Sequence, residues 1–278
     1  MTAGRPCPAP TPGEAMDYRA LAFAALVTCC ALGPPVAQAT PVPDPVPPTA
    51  AGEPAPRTAL SVRSLTGLRW GNSEEHQIRS ALSLAKLYLT DYALRHGDGS
   101  AGDRAHGERM IRYSDDAAAD AVEAKYPQAI AIVAAEYGLT ETRPGANWGS
   151  STTSTADVAD FLAAKQRSDP ASPILSWMAT AAPRAADGTE QNWGTAALPG
   201  VQGTKWGWAD APPQEVASAS FGPVFTVAAH TRGGPADQTA DVLGALATIR
   251  PGRGGPPATP VPAHITGSRP APEGAWPG

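Results

Sequence analysis

The stretch RSALSLAKLY, residues 79–88, is mostly apolar, yet it holds a serine and a lysine three positions apart. Apolar residues recur around them at helical spacing, which predicts a buried helix over Ser80–His96. Positions i and i+3 of a helix share a face, so the Ser83 hydroxyl and the Lys86 amine can meet there. The pair is either a nucleophile beside its base or part of an ordinary helix whose lysine reaches along it to solvent.

Two further short motifs follow along the chain. Ser114-Asp115-Asp116 falls in a predicted turn between two helices, and Lys205-Trp206-Gly207 falls on the first strand after a helical middle region. Structural explanations exist for both: Ser114 and Asp115 have the character of a helix N-cap, and a strand lysine is commonly a surface residue.

The region between the motifs has a mixed secondary-structure pattern. Helical periodicity gives way to β-rich segments and then to a last helix, an α+β order with helices packed on an antiparallel sheet. A Ser-x-x-Asp capping box at Ser154 predicts the start of one helix. The predicted helices after the first are Gly107–Arg112, Asp116–Lys125, Pro127–Tyr137, Ser154–Lys165, Ser172–Ala179 and Gln238–Ile249, and the predicted strands are Gly200–Trp208, Val216–Gly222 and Pro223–Thr231.

Composition and charge exclude several classes of function. The 278 residues carry a formal net charge of -5, which disfavours a nucleic-acid partner because such partners select basic surfaces. The sequence has no P-loop, no dinucleotide-binding fingerprint and no zinc-binding spacing, so no cofactor or metal is expected.

Cysteine and histidine do not suggest a metal site. The three cysteines (Cys7, Cys29 and Cys30) all lie near the N-terminus, so the rest of the chain has no disulfide or thiolate ligand. The five histidines show no metal-site spacing and fit surface or core positions.

The N-terminal region, residues 1–39, is typical of an export signal. A weakly basic start at Met16 precedes an apolar run, Ala20–Leu32, that is too short to span a membrane, and Ala37-Gln38-Ala39 offers a cleavage site. Either Met1 or Met16 can be the start. Lipid attachment at Cys29 is the alternative to plain cleavage, and both place the mature protein outside the cytoplasm, in the cell envelope or secreted.

Proline and glycine mark the limits of one domain. Residues 40–57 form a Pro-rich linker and residues 251–278 a Pro/Gly-rich tail, both expected to be disordered. The domain between them, residues 58–250, has the common size of a single domain. We expect it to be a monomer without a transmembrane span.

The three motifs together resemble those of the penicillin-recognising serine hydrolases, the penicillin-binding proteins and serine β-lactamases. Their order, Ser-x-x-Lys, Ser-Asp-Asn and Lys-Thr-Gly, is that of Ser83, Ser114 and Lys205 here. The flanking segments Met110–Ala119, Ser151–Asp157 and Leu198–Gly207 are similar as well. The resemblance covers nearly the whole domain, is strongest to class A β-lactamases, and implies a three-layer fold with a five-stranded antiparallel sheet.

The resemblance also implies roles for individual residues. Ser83 would be the nucleophile, Lys86 its base, Ser114 a proton relay, and Lys205 the residue that attracts a substrate carboxylate. The backbone N–H groups of Ser83 and Trp208 would form the oxyanion hole. The substrate-binding positions would be Asp116, Trp206, Gly207 and Trp208.

Several residues depart from the family pattern. Asp116 replaces an asparagine, which turns an amide donor into a charged acceptor, and Trp206 replaces a threonine or serine whose hydroxyl holds substrate carboxylate. We expect the Trp206 indole to fill part of the cleft. The spacing from Ser83 to Ser114 is short for the family, so the helical region is trimmed.

The segment Thr142–Thr153 departs furthest. In class A β-lactamases a loop in this region supplies the glutamate that activates the deacylating water, but this segment contains no glutamate. Glu141 lies just before it without a feature that identifies it as that base. We therefore expect slow deacylation, not efficient β-lactamase activity.

Two functions from different classes remain. The first is acyl transfer through a serine ester on a cell-wall peptide or another small or peptidoglycan-related substrate; retention of Ser83, Lys86, Ser114 and Lys205 favours it. The second is a non-catalytic cell-envelope binding protein, which the replacements at Trp206 and Asp116 favour. The fold alone does not decide between the two functions.

Five aromatic residues fall near the predicted site. They either line a groove for sugars or apolar groups, or cap the sheet and the core. They are Trp148, Trp193, Trp206, Trp208 and Phe221.

Overall fold

The structure is a computed structural model that describes residues 56–247. The predicted signal region, most of the linker and the tail lie outside these residues, as do all three cysteines. The elements are β1 (Thr58–Ser64), β2 (Arg69–Gly71), β3 (Arg79–Ser80), α1 (Ala85–His96), α2 (Ala101–Arg112), α3 (Asp116–Lys125), α4 (Ala129–Tyr137), β4 (Thr152–Thr153), α5 (Thr155–Ser168), α6 (Pro173–Ala179), β5 (Gly203–Trp208), β6 (Glu215–Phe221), β7 (Phe225–Arg232) and α7 (Pro235–Ala247).

The main sheet has five strands, all paired antiparallel, in the order β2-β1-β7-β6-β5. Strand β5 is therefore an edge strand, paired with β6 on one side only. The α+β class and the five-stranded antiparallel sheet are as predicted. Two of the five strands, β1 and β2, are absent from the periodicity prediction.

Alternation along the strands separates the two faces of the sheet. In β7, Val227 and Ala229 pack with Leu60 of β1 and Val242 of α7, whereas Ala228 packs into the larger helical core. Successive strand residues point to opposite faces, so β7 contributes to two cores. The result is three layers, with α7 on one face and the other helices on the opposite face.

Helix α1 is the centre of the helical layer. Eight of its twelve residues are buried, including Leu87, Tyr88 and Leu89, and a helix that is apolar on most sides is surrounded by other elements. Its buried Asp91 is neutralised by Lys165 of α5 at 2.9 Å. The predicted helix Ser80–His96 differs at its start, where a 3-10 turn, Leu82–Leu84, precedes α1.

Hydrogen bonds at the helix starts fix the loops between them. The Asp115 side chain caps α3 by accepting from the Ala118 N–H at 3.2 Å, and Ser154 caps α5 by accepting from the Asp157 N–H at 3.0 Å. The Asp157 carboxylate accepts instead from the Thr142 hydroxyl at 2.7 Å, so only half of the predicted capping box forms. Between residues 56 and 247, no helix is long and apolar enough to cross a bilayer.

Candidate active site

Ser83 lies in the 3-10 turn that precedes α1, at the wall of a cleft. The residue before it, Leu82, has a φ of 51°, a left-handed conformation that costs energy for a branched side chain and that occurs at functional sites. In the first turn of a helix the N–H groups have no intrahelical acceptor, so the Ser83 N–H is available to a ligand.

Lys86 is one turn further along and fully buried. Its Nζ donates to Ser83 Oγ at 2.7 Å, to the Ser114 carbonyl at 3.0 Å and to Asp116 Oδ1 at 2.5 Å. The ring of Trp148 covers the amine with its centroid 4.2 Å away. The side chain is therefore a buried, fully coordinated amine and does not extend to solvent as an ordinary surface lysine would.

Ser114 connects the two buried lysines. It occupies the short turn between α2 and α3 with a φ of 51°, and its hydroxyl accepts from Lys205 Nζ at 2.7 Å. Lys205 also donates to the Trp206 carbonyl at 2.8 Å. The structure thus brings Ser83, Lys86, Ser114 and Lys205 together in one hydrogen-bonded group, in the geometry that the motif order predicts.

Burial controls the protonation of both lysines. Desolvation lowers the pKa of Lys86, while the hydrogen bond and charge of Asp116 act in the opposite direction. Desolvation, and then the neighbouring Lys86 charge, lower the pKa of Lys205 well below that of an ordinary lysine. A lowered pKa is what a lysine needs to accept a proton near neutral pH.

Gly207 allows strand β5 to approach the serine turn. A Cβ at this position would lie 2.8 Å from the Ser83 nitrogen and 2.9 Å from Leu82 Cβ, closer than real contacts allow. Since the Ala209 N–H pairs with the Glu215 carbonyl, alternation along the antiparallel pair directs the Trp208 N–H away from β6, toward the open edge of the sheet. The predicted pair of oxyanion donors, Ser83 and Trp208, thus lies on adjoining segments.

Trp206 does not occupy the cleft, contrary to the sequence expectation. Its indole is buried against Trp193 and Val216, and its Nε1 donates to the Trp193 carbonyl at 2.8 Å. The reason is strand alternation: Lys205 points to the helical layer, so the next residue points to the opposite face. The hydroxyl expected from the family at this position is absent, but the cleft is not blocked by the replacement.

The cleft itself has a volume of about 490 Å³. Of the five aromatic residues near the predicted site, Trp148 and Trp208 line it, while Trp193, Trp206 and Phe221 are buried in the cores and act as structural residues. The residues that line the cleft are Ser80, Leu82, Ser83, Ser114, Asp115, Asp116, Ala117, Trp148, Gly149, Ala186, Asp187, Trp208, Ala209 and Asp210.

All charged side chains on the cleft wall are acidic in the described part of the chain. Asp115 is paired with Arg109 at 2.7 Å and Asp116 with Lys86. Asp187 and Asp210 are exposed at the mouth, where Asp187 accepts from the Trp208 indole N–H at 3.2 Å. The mouth therefore presents negative charge to an entering ligand. The motifs do not predict this property, because Asp187 and Asp210 come from loops outside them.

The segment Thr142–Thr153 contributes the indole of Trp148, and not a carboxylate, to the site around Lys86. Trp148 covers Lys86 and donates from Nε1 to Asp120 at 2.8 Å. Glu141 does not line the cleft; its carboxylate accepts from Thr140 and Ser154 hydroxyls. It is therefore not positioned to activate a water on Ser83. Across residues 56–247, no group of three or more acidic, histidine or cysteine side chains could hold a metal ion.

The fold is that of penicillin-binding proteins and class A β-lactamases. Penicillin-binding protein D2 from Listeria monocytogenes superposes with a TM-score of 0.51 at 15% identity, over 68% of this chain and 96% of that one. A D-alanyl-D-alanine carboxypeptidase from Mycobacterium tuberculosis gives 0.51 at 18% identity, over 71% and 94%. A class A β-lactamase variant reconstructed for the last common ancestor of Gram-negative bacteria gives 0.52 at 17%, over 72% and 92%.

Sequence comparison adds no closer relative. No protein-family model and no curated protein matches the chain. The similarity is thus one of fold, and the chemistry must be argued from the cleft.

Proposed function

We propose that this protein is an extracytoplasmic serine acyl-transfer enzyme that forms an ester on Ser83 and releases it slowly. The observation that carries the proposal is the 2.7 Å contact between Ser83 Oγ and Lys86 Nζ, with Ser114 and Lys205 in the same hydrogen-bonded group. Export rests on the N-terminal sequence pattern, and a cell-wall peptide or related acyl compound is the substrate class that suits that location.

The acylation step uses the residues of the cleft. With Lys86 as the neutral amine, Ser83 Oγ attacks the acyl carbon while its proton passes to Lys86 Nζ. The Ser83 and Trp208 N–H groups receive the developing oxyanion. Collapse of the tetrahedral intermediate breaks the bond to the leaving group, which takes the proton held by Lys86 Nζ through Ser114 Oγ, and the acyl group remains as an ester on Ser83.

Release of the ester is the slow step in this proposal. Hydrolysis needs a base that activates water beside the ester. The segment Thr142–Thr153, which could supply such a base, contributes the Trp148 ring instead. The acyl-enzyme is therefore expected to persist, or to pass to an amine acceptor that needs less activation than water.

A second function, ligand binding without chemistry, is favoured by one specific observation. Asp116 forms an ion pair with Lys86 at 2.5 Å, which stabilises the protonated lysine and opposes its use as a base. A binding protein with this fold would keep the cleft and its aromatic walls while Ser83 stays unreacted.

Mass spectrometry of the intact protein after incubation with a fluorescent penicillin separates the two functions. The enzyme proposal requires an adduct on Ser83 that forms over minutes to hours and is lost in Ser83→Ala. An uncharged thioester is tested in parallel, since penicillins are anionic and the cleft mouth is acidic. No adduct with either probe at any pH between 6 and 10 (roughly the range over which a lysine with a lowered pKa titrates) would favour the binding protein.

A further inference from the structure

The contacts of Lys86 Nζ match those of an ammonium group. Nζ contacts three acceptors: the hydroxyl oxygen of Ser83, the carbonyl oxygen of Ser114 and a carboxylate oxygen of Asp116. An ammonium group has three N–H donors and no lone pair, so these contacts use all of its donors. With Lys86 protonated, Ser83 Oγ is an acceptor, and Lys86 has no electron pair with which to take the serine proton.

The charged groups facing Lys86 come from three parts of the fold. Asp115 and Asp116 are at the start of α3, Lys205 is on β5, and Asp210 is in the segment that follows β5. Asp115 is held by Arg109, and Lys205 is directed at Ser114. Asp116 is the carboxylate that touches Lys86.

The position of Asp116 allows it to move. Its side chain is 62% exposed, whereas that of Lys86 is 0% exposed, so one member of the ion pair faces the open cleft and the other is fixed in the core. Asp116 is also the first residue of α3, where a carboxylate is stabilised by the helix N-terminus whether or not it contacts Lys86. Breaking the contact therefore does not require helix α3 to unfold.

We propose that Asp116 is a positioning residue that keeps Lys86 protonated and thereby holds the Ser83 site in a latent state. The site becomes competent when Lys86 loses a proton to solvent, either at alkaline pH or when a ligand in the cleft takes the Asp116 carboxylate away from it. The resulting neutral amine then accepts the Ser83 proton as Oγ attacks. The catalytic consequence rests on the proposed function, but the protonation of Lys86 does not.

Titration of Lys86 in the full-length protein tests the proposal directly. The chain contains four lysines, so the 13Cε signals of isotopically labelled lysine can be assigned by comparison with Lys86→Met. Asp116→Asn keeps the shape of the side chain and removes its charge, and its Lys86 midpoint is expected at least about one pH unit below that of the wild type. Asp116→Glu, which keeps the charge, is expected to restore a midpoint closer to that of the wild type.

A remote charge serves as the matched control. Asp98→Asn also removes one negative charge, from a surface ion pair with Lys125, and is expected to leave the Lys86 midpoint unchanged within about 0.3 units because exposed charges at a distance are screened. Equal midpoints in the wild type and Asp116→Asn would overturn the proposal, as would equal shifts in Asp116→Asn and Asp98→Asn.

The acylation rate gives the second readout. If Ser83 reacts, Asp116→Asn is expected to move the alkaline limb of the pH–rate profile to lower pH and to raise the rate at pH 7 about tenfold, the effect of one pH unit. A shifted Lys86 midpoint without acylation by any probe would support the role of Asp116 in keeping Lys86 protonated and reject the proposed function. Acylation of Ser83 with an unshifted midpoint would support the function and reject the role of Asp116.

Discussion

At the residue scale, Gly207 sets the distance between strand β5 and the serine turn. The space beside it is taken by the Ser83 nitrogen and by Leu82 Cβ, at 2.8 and 2.9 Å from where a Cβ would stand. Both neighbours are part of a turn fixed by α1, so neither can withdraw as the end of a flexible side chain would. A single methyl group should therefore separate the two N–H donors of the proposed oxyanion hole.

Gly207→Ala is expected to lower the rate of acylation about a hundredfold or more, as the loss of an oxyanion donor does. It should also destabilise the fold by about 1–3 kcal/mol because an added methyl group must displace packed atoms. Stopped labelling reactions and urea unfolding measure the two effects. Ala209→Gly, two residues further along, is the matched comparison. An unchanged labelling rate in Gly207→Ala would contradict the proposed role of the close contact between β5 and the turn that holds Ser83.

Trp206 leads to a prediction opposite to the one its sequence position suggests. If the indole filled the cleft, Trp206→Thr would speed labelling of Ser83. Because the indole is buried on the other face of the sheet, the substitution should instead leave a cavity and cost about 3 kcal/mol or more of stability. Trp206→Phe keeps most of the packing and loses the bond to the Trp193 carbonyl, so a smaller loss of about 1 kcal/mol is expected from denaturant unfolding. Faster labelling by a stable Trp206→Thr variant would contradict the observed orientation.

The site residues show what sequence can and cannot predict at this scale. Ser83, Lys86, Ser114 and Lys205 could be found because each belongs to a short local motif whose order along the chain is informative. The Lys86–Trp148 contact could not, since it depends on how a loop some sixty residues away folds back on the helix. The orientation of Trp206 was predictable in principle: a residue next to Lys205 on one strand points to the opposite face.

At the element scale, the loops beside β5 determine the charge of the cleft. Asp187 precedes the strand and Asp210 follows it, and both are exposed at the mouth. Neither comes from a motif, so the family resemblance carries no information about them. They give the entrance a negative potential, although the two lysines beneath it are buried.

Replacing Asp187 and Asp210 together by asparagine is expected to speed labelling by an anionic penicillin by about thirtyfold at most, since two unit charges near the entrance repel it by about 1 kcal/mol each at short range. The gain should shrink as salt is added. The second-order rate constant at low and high ionic strength measures it, and the uncharged thioester is the control that should not respond. An equal gain with both probes would show that the effect is not electrostatic.

The elements themselves were predicted unevenly. Helix α3 was predicted with its observed limits because the N-cap aspartate marks its start. Strand β1 was missed because all seven of its residues are buried, including Ser61 and Arg63, so it lacks the alternation of a half-exposed strand. Helix α2 begins earlier than predicted, as its first turn is polar and contains Gly102.

At the scale of the whole molecule, Arg57, the last residue of the predicted linker, is bound to the domain that follows it. Arg57 pairs with Asp241 at 2.9 Å and with Asp237 at 2.9 Å, and its carbonyl accepts from the Arg232 N–H at 3.0 Å. It therefore joins β1 to both α7 and β7.

A chain that begins at Pro56 and ends at Arg250 is expected to melt at the same temperature as one covering residues 40–278. A chain that begins at Thr58 should melt at a lower temperature, since it loses the Arg57 ion pairs and the hydrogen bond that the Arg57 carbonyl accepts from the Arg232 N–H. Differential scanning calorimetry compares the three, and Arg57→Ala in the longest chain isolates the side-chain effect. A lower melting temperature for the chain from 56 to 250 would show that the Pro-rich segments contribute to stability.

The burial of the lysines has a practical consequence for chemical labelling. The chain has four lysines, of which Lys86, Lys165 and Lys205 have at most 2% of their surface exposed, while Lys125 is 39% exposed at its side chain. Amine-reactive dyes and cross-linkers should therefore attach to the native protein at Lys125 and the chain's own N-terminus. A label on Lys125 lies at the opposite end of α3 from Asp116, and acylation of the other three lysines would mark molecules that have lost the native fold.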